Sequence, residues 1–168
     1  MINRSREGLH TIFAEQGFKI GAEIGVDRAL NAIDMLEHIP NLFLYLIDPW
    51  KGRAAIRAYS RSRRYVNAMK RLIPYENRFS VIRETSLKAS LEIPDKSLDF
   101  VYIDGDHSYD MAMLDTIIWI SKIRAGGIIS GHDYRQGYYG VKPAVDDYTK
   151  YHGIELHTIP QRNWYWTI

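Results

Sequence analysis

The stretch Asp99-Phe100-Val101-Tyr102-Ile103-Asp104-Gly105-Asp106-His107 runs an apolar strand straight into two carboxylates and an imidazole. A run apolar on both faces suits a strand buried inside a parallel sheet. Gly126-Gly127-Ile128-Ile129-Ser130-Gly131-His132-Asp133-Tyr134 repeats the pattern, a short apolar strand ending in a His-Asp pair. If the two strands are parallel neighbours, roughly 4.8 Å apart, Asp104 and Asp133 emerge side by side at their carboxyl ends. Open α/β sheets bind their ligands at that edge.

Outward from these strands, short apolar runs alternate with longer amphipathic ones. Strands are predicted at Lys19 to Val26, Leu42 to Ile47, Phe79 to Arg83, Leu98 to Ile103, Gly127 to Ser130, Glu155 to Ile159 and Trp164 to Thr167. Helices are predicted at Asp27 to Ile39, stopped by Pro40, at Tyr59 to Ile73, stopped by Pro74, at Tyr109 to Ile123 and at Lys142 to Tyr151, with a short turn near Leu87 to Leu91. Strands separated by helices imply right-handed βαβ crossovers. The expected fold is a Rossmann-like α/β architecture: a mainly parallel seven-stranded sheet with helices on both faces. Only Pro160 to Asn163 separates the last two strands, so one edge should be an antiparallel hairpin.

Composition sets the class. The 168 residues fit one domain, with 46% hydrophobic and 25% charged residues. The chain has no Cys, which rules out disulfides and thiolate ligands and leaves oxygen and imidazole. No apolar run approaches bilayer-spanning length, and Met1-Ile2-Asn3-Arg4-Ser5-Arg6 has no apolar signal core. No membrane partner and a cytoplasmic location are therefore expected. A net charge of +2 points to no particular partner.

The first strand carries Ala22-Glu23-Ile24-Gly25-Val26-Asp27 into its helix. A glycine at that turn lets backbone approach a ligand, and the helix start beyond it is partly positive. Asp48 then closes the second strand, placed to bind the two hydroxyls of a ribose. Glycine turn and acid, in this order on these elements, point to a nucleoside-containing ligand.

This order resembles the class I S-adenosylmethionine-dependent methyltransferases over nearly the whole chain, from Glu23 to Trp164-Tyr165-Trp166. The resemblance implies S-adenosylmethionine as cofactor, with Glu23 and Gly25 in the first-strand motif, Asp48 on the ribose, Thr85-Ser86 beside the adenine and Asp104 at the fourth strand. Asp27 and Ala29 stand where that motif has its second and third glycines. The closest likeness is to small-molecule O-methyltransferases. In catechol-type enzymes the fourth- and fifth-strand carboxylates, here Asp104 and Asp133, hold magnesium, although Tyr134 replaces their following Asn. Macrolide-sugar O-methyltransferases carry an Asp-x-x-His whose His is the base, a spacing matched by Asp104-Gly105-Asp106-His107.

These residue types suit the chemistry. A sulfonium methyl donor is already activated, so an enzyme chiefly positions an oxygen in line and removes its proton. A hard cation on carboxylates would hold hydroxyls and acidify them, and a neutral imidazole could take the proton. His107 is the leading base and His132 the reserve. Either imidazole could instead bind a backbone carbonyl, and either acid could simply cap a turn. Ser108 and Asp110 read as helix N-terminal residues.

Arg53, Arg57, Arg61, Arg63, Arg64, Lys70 and Arg71 crowd the segment from Lys51 to Arg78. Such charges usually form a solvated face, and an anionic acceptor is the functional alternative. Nucleic acid is disfavoured, because no reading motif accompanies the patch. The aromatic tail could also support a contact in a homo-oligomer. Rival readings are a glycosyltransferase using Asp104-Gly105-Asp106 as an Asp-x-Asp metal motif, a dehydrogenase, which would want a fuller glycine fingerprint, and a catalytically silent nucleoside-binding module.

Overall fold

The computed structural model describes residues 7–51, 55–137, 140–159 and 162–168. Met1 to Arg6, Arg53 and Pro160 in the expected hairpin turn lie outside the described residues. In chain order the elements are α1 (Glu7–Glu15), β1 (Ile20–Ile24), α2 (Leu30–His38), β2 (Phe43–Ile47), α3 (Ala55–Leu72), a 3-10 segment (Ile73–Arg78), β3 (Phe79–Ile82), α4 (Ser86–Ser90), β4 (Leu98–Ile103), α5 (Tyr109–Ile120), β5 (Ile123–Gly131), α6 (Val141–His152), β6 (His157–Ile159) and β7 (Asn163–Thr167).

The seven strands form one sheet in the order β3-β2-β1-β4-β5-β7-β6. Strands β1 to β5 pair in parallel. Strand β7 inserts between β5 and β6 and runs antiparallel to both. The reversed strand is thus the next-to-edge one, and β6 at the edge points with the parallel set.

Side-chain alternation splits the core in two. Phe100 and Tyr102 face α1, α2 and α3, joining Leu9, Phe13, Met35, Leu36, Ala68 and Leu72. Val101 and Ile103 face the other way, onto Ala112, Trp119, Ala144 and Val145 of α5 and α6. The tail obeys the same rule, with Trp164 and Trp166 on the second face and Tyr165 against the first. Helices therefore cover both faces. Helix α1 was not foreseen, but its Leu9 and Phe13 are fully buried. The long basic helix begins at Ala55 and sets Tyr65, Met69 and Leu72 against the core.

Two boundaries depart from expectation for local reasons. Helix α2 starts at Leu30 rather than Asp27, because Asp27 and Ala29 take left-handed backbone (φ 47° and 60°). Strand β5 begins at Ile123, where the apolar pattern had suggested the end of a helix, because Ile123 pairs with Leu98 ahead of an irregularity in the ladder. Register matters most for function. Ile24 pairs with Ile47 and Ile103, Ile47 with Ile82, and Ile103 with Gly131. The residues after all five parallel strands consequently open on one edge.

Candidate active site

One side of that edge is built on the turn after β1. Gly25 has φ 93°, and a Cβ there would lie 2.1 Å from the Asp104 carbonyl oxygen. Only glycine lets the turn pass so close to the end of β4. Downstream, Asp27 and Ala29 also hold left-handed backbone, a conformation that favours glycine. Each costs on the order of 1–3 kcal/mol and persists only where its surroundings enforce it. Enforcement is visible around Asp27. Its N–H donates to Asp48 Oδ2 at 2.9 Å, its carbonyl accepts from Trp50 Nε1 at 2.8 Å, and its carboxylate meets the Arg64 guanidinium at 2.6 Å.

Asp48 is buried, and its Oδ1 accepts the Trp50 N–H at 2.7 Å. A carboxylate has about four lone-pair directions, so these two bonds leave capacity for ribose hydroxyls. Trp50 packs edge-on against Tyr65 of α3 at 5.1 Å, which fastens the β2 end to the basic helix. Arg64 therefore pins the glycine turn rather than decorating a solvated face. Arg71 does the same more distantly, donating to the Arg28 carbonyl at 3.3 Å.

Glu23 lies under the turn and not in the opening. It is 1% exposed, and its Oε1 accepts from Asn31 Nδ2 at 2.8 Å. Thr85 stands at the N-terminus of α4 beyond β3. The Ser86 hydroxyl donates to Asp115 Oδ1 at 2.5 Å and accepts from Trp119 Nε1 at 2.8 Å, so α5 fixes this corner of the edge. Burial pushes the Asp115 carboxyl up to about 6, against the lowering effect of Ser86, with Asp106 adding to the rise.

The acid-imidazole side occupies the ends of β4 and β5. Asp104, His107 and Asp133 bring three ligand atoms within 4.8 Å of one another. His107 Nε2 is 2.9 Å from Asp133 Oδ2 and 3.6 Å from Asp104 Oδ1. His132 lies outside this trio, its Nδ1 3.4 Å from Asp133 Oδ1 and 3.9 Å from Asp104 Oδ1. Asp133 has φ 56°, a left-handed residue that re-aims its carboxylate as β5 ends. The Gly140 N–H holds the His107 carbonyl at 2.7 Å, anchoring the loop from which the imidazole projects. Asp104 hydrogen-bonds to His107 and raises its pKa, opposed by burial and helped by the charges of Asp133, Asp104 and Asp106. The surrounding acids thus shift the imidazole's equilibrium toward the protonated form relative to a free histidine.

Asp106 faces another task. Its Oδ1 accepts the Ser108 N–H at 2.9 Å, the turn that starts α5, and it is not among the three clustered ligands. An Asp-x-Asp pair converging on one metal is not what β4 presents. Sequence reading overlooked Trp50, Asp115 and Arg162, the last with its guanidinium 3.9 Å from Asp133 Oδ1. Nothing local marks them, because each gains its role from a partner on another strand or helix.

The family described as a methyltransferase domain matches residues 22–134, the span from β1 through the His-Asp pair after β5. The chain belongs to the class I methyltransferase family. No protein of curated function matches it. Among solved structures, the O-methyltransferase from Bacillus cereus in complex with SAH shares 14% identity and a TM-score of 0.65, covering 98% of this chain and 80% of that one. TomG from Streptomyces achromogenes, an O-methyltransferase involved in tomaymycin synthesis and solved with SAM, shares 14% identity and a TM-score of 0.63 over 96% of this chain and 78% of its own. The cofactor-bound Rv0187 from MTB shares 13% identity and a TM-score of 0.69 over 100% of this chain and 81% of that chain. At such identities the likeness is one of fold. In this methyltransferase Asp27 and Ala29, which stand where the glycine-rich motif has glycine, both take left-handed backbone.

Proposed function

We propose that this methyltransferase moves the methyl group of S-adenosylmethionine to a hydroxyl oxygen of a small-molecule acceptor, with a divalent cation at Asp104 and Asp133. The observation that carries the reading is the convergence of Asp104, His107 and Asp133 on the same sheet edge as Gly25 and Asp48. The two carboxylates suit a hard cation, and the imidazole beside them suits proton transfer. When bound, such an ion supplies positive charge that holds an acceptor hydroxyl and favours its ionisation. Magnesium fits the carboxylates best.

The protein's own residues supply the rest. Asp48 orients the ribose, and Thr85 and Ser86 border the adenine. The Gly25 turn lets the donor lie close to the end of β4. His107 takes the acceptor proton as the O–CH₃ bond forms and the S–CH₃ bond breaks, leaving the neutral thioether product. A cation engaged by Asp104 and Asp133 would offset the charges that raise the His107 pKa and so favour the neutral ring that acts as base. His132 stands in reserve. Glu23 serves the cofactor indirectly, by fixing Asn31 beneath the turn.

Arg162 beside Asp133 favours an acceptor with an anionic group, and nothing in the site calls for nucleic acid. Among the described residues no helix is long and apolar enough to cross a membrane. A cytoplasmic setting and a single domain over residues 1–168 belong to the same reading.

Calorimetry with S-adenosylhomocysteine and a radiolabelled methyl-transfer screen of hydroxylated acceptors test it. Binding by the unmodified chain, weakened by Asp48→Ala by about 1.5–3 kcal/mol, is the expected result. No binding at all sinks the proposal, and turnover untouched by a chelator removes the cation from it.

A further inference from the structure

Arg162 stands on the catalytic edge for a topological reason. Strand β7 runs antiparallel to β5 with Trp164 paired to Gly131, so the residues just before β7 lie beside those just after β5. The chain is pinned there. The Tyr134 N–H donates to the Arg162 carbonyl at 2.9 Å, and Arg162 has left-handed backbone, φ 77°. Next to it Asn163 is buried, its Oδ1 accepting the Tyr102 hydroxyl at 3.0 Å. The Arg162 side chain therefore starts from a fixed point and, at 49% exposed, borders solvent.

Its guanidinium is held loosely. Nη1 stops 3.9 Å from Asp133 Oδ1, beyond hydrogen-bond length, and an exposed pair at that distance holds weakly. His107 has the nearer claim on Asp133, with Nε2 2.9 Å from Oδ2. A guanidinium carries five N–H donors, more than this long contact can use. Charge makes the same point. A divalent ion on Asp104 and Asp133 takes both their charges, and the donor sulfonium adds a further positive charge to the site. Arg162 is then a cation whose counter-charge has been claimed, and the acceptor is what enters to supply another. The basic helix does not compete for that role through Arg64 and Arg71, since both are engaged at the turn after β1.

We propose that Arg162 recognises a carboxylate on the acceptor, so that the preferred substrates are hydroxy acids whose carboxylate lies a few bonds from the hydroxyl that is methylated. The inference rests on the methyl-transfer reading above and narrows its acceptor. A planar guanidinium matches a carboxylate through two parallel N–H···O bonds. A carboxylate oxygen bonded to Nη1 at about 2.8 Å lies no farther than about 7 Å from Asp133 Oδ1. The reacting hydroxyl sits near the same acid, so a compact hydroxy acid reaches both. A neutral ester of the same shape leaves the guanidinium without its partner. Arg162 is thus a specificity residue: it sets which end of the acceptor meets the methyl donor and takes no part in bond making.

The test is calorimetry with magnesium chloride and S-adenosylhomocysteine present, titrating salicylate, protocatechuate and lactate, each beside its methyl ester, into the parent chain, Arg162→Gln and Arg162→Lys. At least one acid should bind the parent about 10- to 100-fold more tightly than its ester, the scale of a charged hydrogen-bonded pair. Arg162→Gln should erase that ratio, and Arg162→Lys should recover part of it, because lysine restores the charge without the paired geometry. Arg162 is half-exposed, and an unchanged circular dichroism spectrum confirms that the variants fold. Acids bound no better than their esters by the parent, or not at all, overturn the proposal, as does an Arg162→Gln chain that keeps the parent's ratio. Glycerol phosphate bound more tightly than every acid replaces the carboxylate and overturns it too. A parent chain that binds no S-adenosylhomocysteine fails the methyl-transfer reading itself, a result separate from all of these.

Discussion

Asp115 offers the sharpest test of the packing beneath the site. Its carboxyl is 2% exposed and rises from 3.8 to about 6, mainly through burial and despite the bond from Ser86. An acid with a raised folded pKa binds more protons folded than unfolded between those values, so stability falls as pH rises through that window. Below about pH 3.8 both states are protonated and the penalty vanishes. Above about pH 6 it is fully felt, at about 3 kcal/mol. Asp115→Asn keeps an oxygen for the Ser86 hydroxyl and has no charge to desolvate. Urea unfolding of both chains should show the variant more stable by up to about 3 kcal/mol at about pH 7.5 and nearly equal to the parent at about pH 4. A variant less stable at about pH 7.5, or a difference independent of pH, refutes the argument. Should the variant also bind cofactor more weakly, the parent's instability is the cost of holding Ser86 in place.

Gly25→Ala should destabilise the fold by about 3 kcal/mol or more, because its Cβ would collide with backbone and its φ is disfavoured for alanine; chemical denaturation measures it, and a neutral result would show that the turn can move. His107→Ala should lower turnover by about 10² to 10⁴ while cofactor affinity measured by calorimetry stays constant, and His132→Ala should do less; the reverse order would hand the base role to His132. The pKa of His107 is raised in the folded chain, chiefly by Asp104. In chelator-treated protein its contribution to stability should therefore be complete below its ordinary 6.5 and disappear as pH climbs through the higher folded value. Parallel unfolding curves of His107→Ala and the parent across pH would show instead that the imidazole gains nothing from the acids.

The strands, the parallel pairing of β4 with β5 and the emergence of Asp104 and Asp133 on one edge were legible because they depend on local pattern. An apolar run must be buried, and its length and breakers mark where it ends. The placement of Asp48 and of the glycine turn was legible for the same reason, since each sits at a fixed offset from a strand. The order of functional groups along the chain was therefore written in the sequence, and so was the methyltransferase resemblance.

Tertiary structure alone decided how those groups are held. No local pattern says that Asp27 takes glycine's backbone, since that conformation is held by Asp48, Trp50 and Arg64 from other elements. Arg64 looked like one charge in a solvated run until α3 packed beside the turn. Strand alternation buries Glu23 and turns it to Asn31, a contact that no local pattern announces. His10, in a helix the sequence reading passed over, meets Asp34 and His38 only when α1 lies across α2. Hydrophobic periodicity constrains neighbours along the chain, whereas hydrogen bonds and ion pairs between distant residues act only after the helices have packed on the sheet.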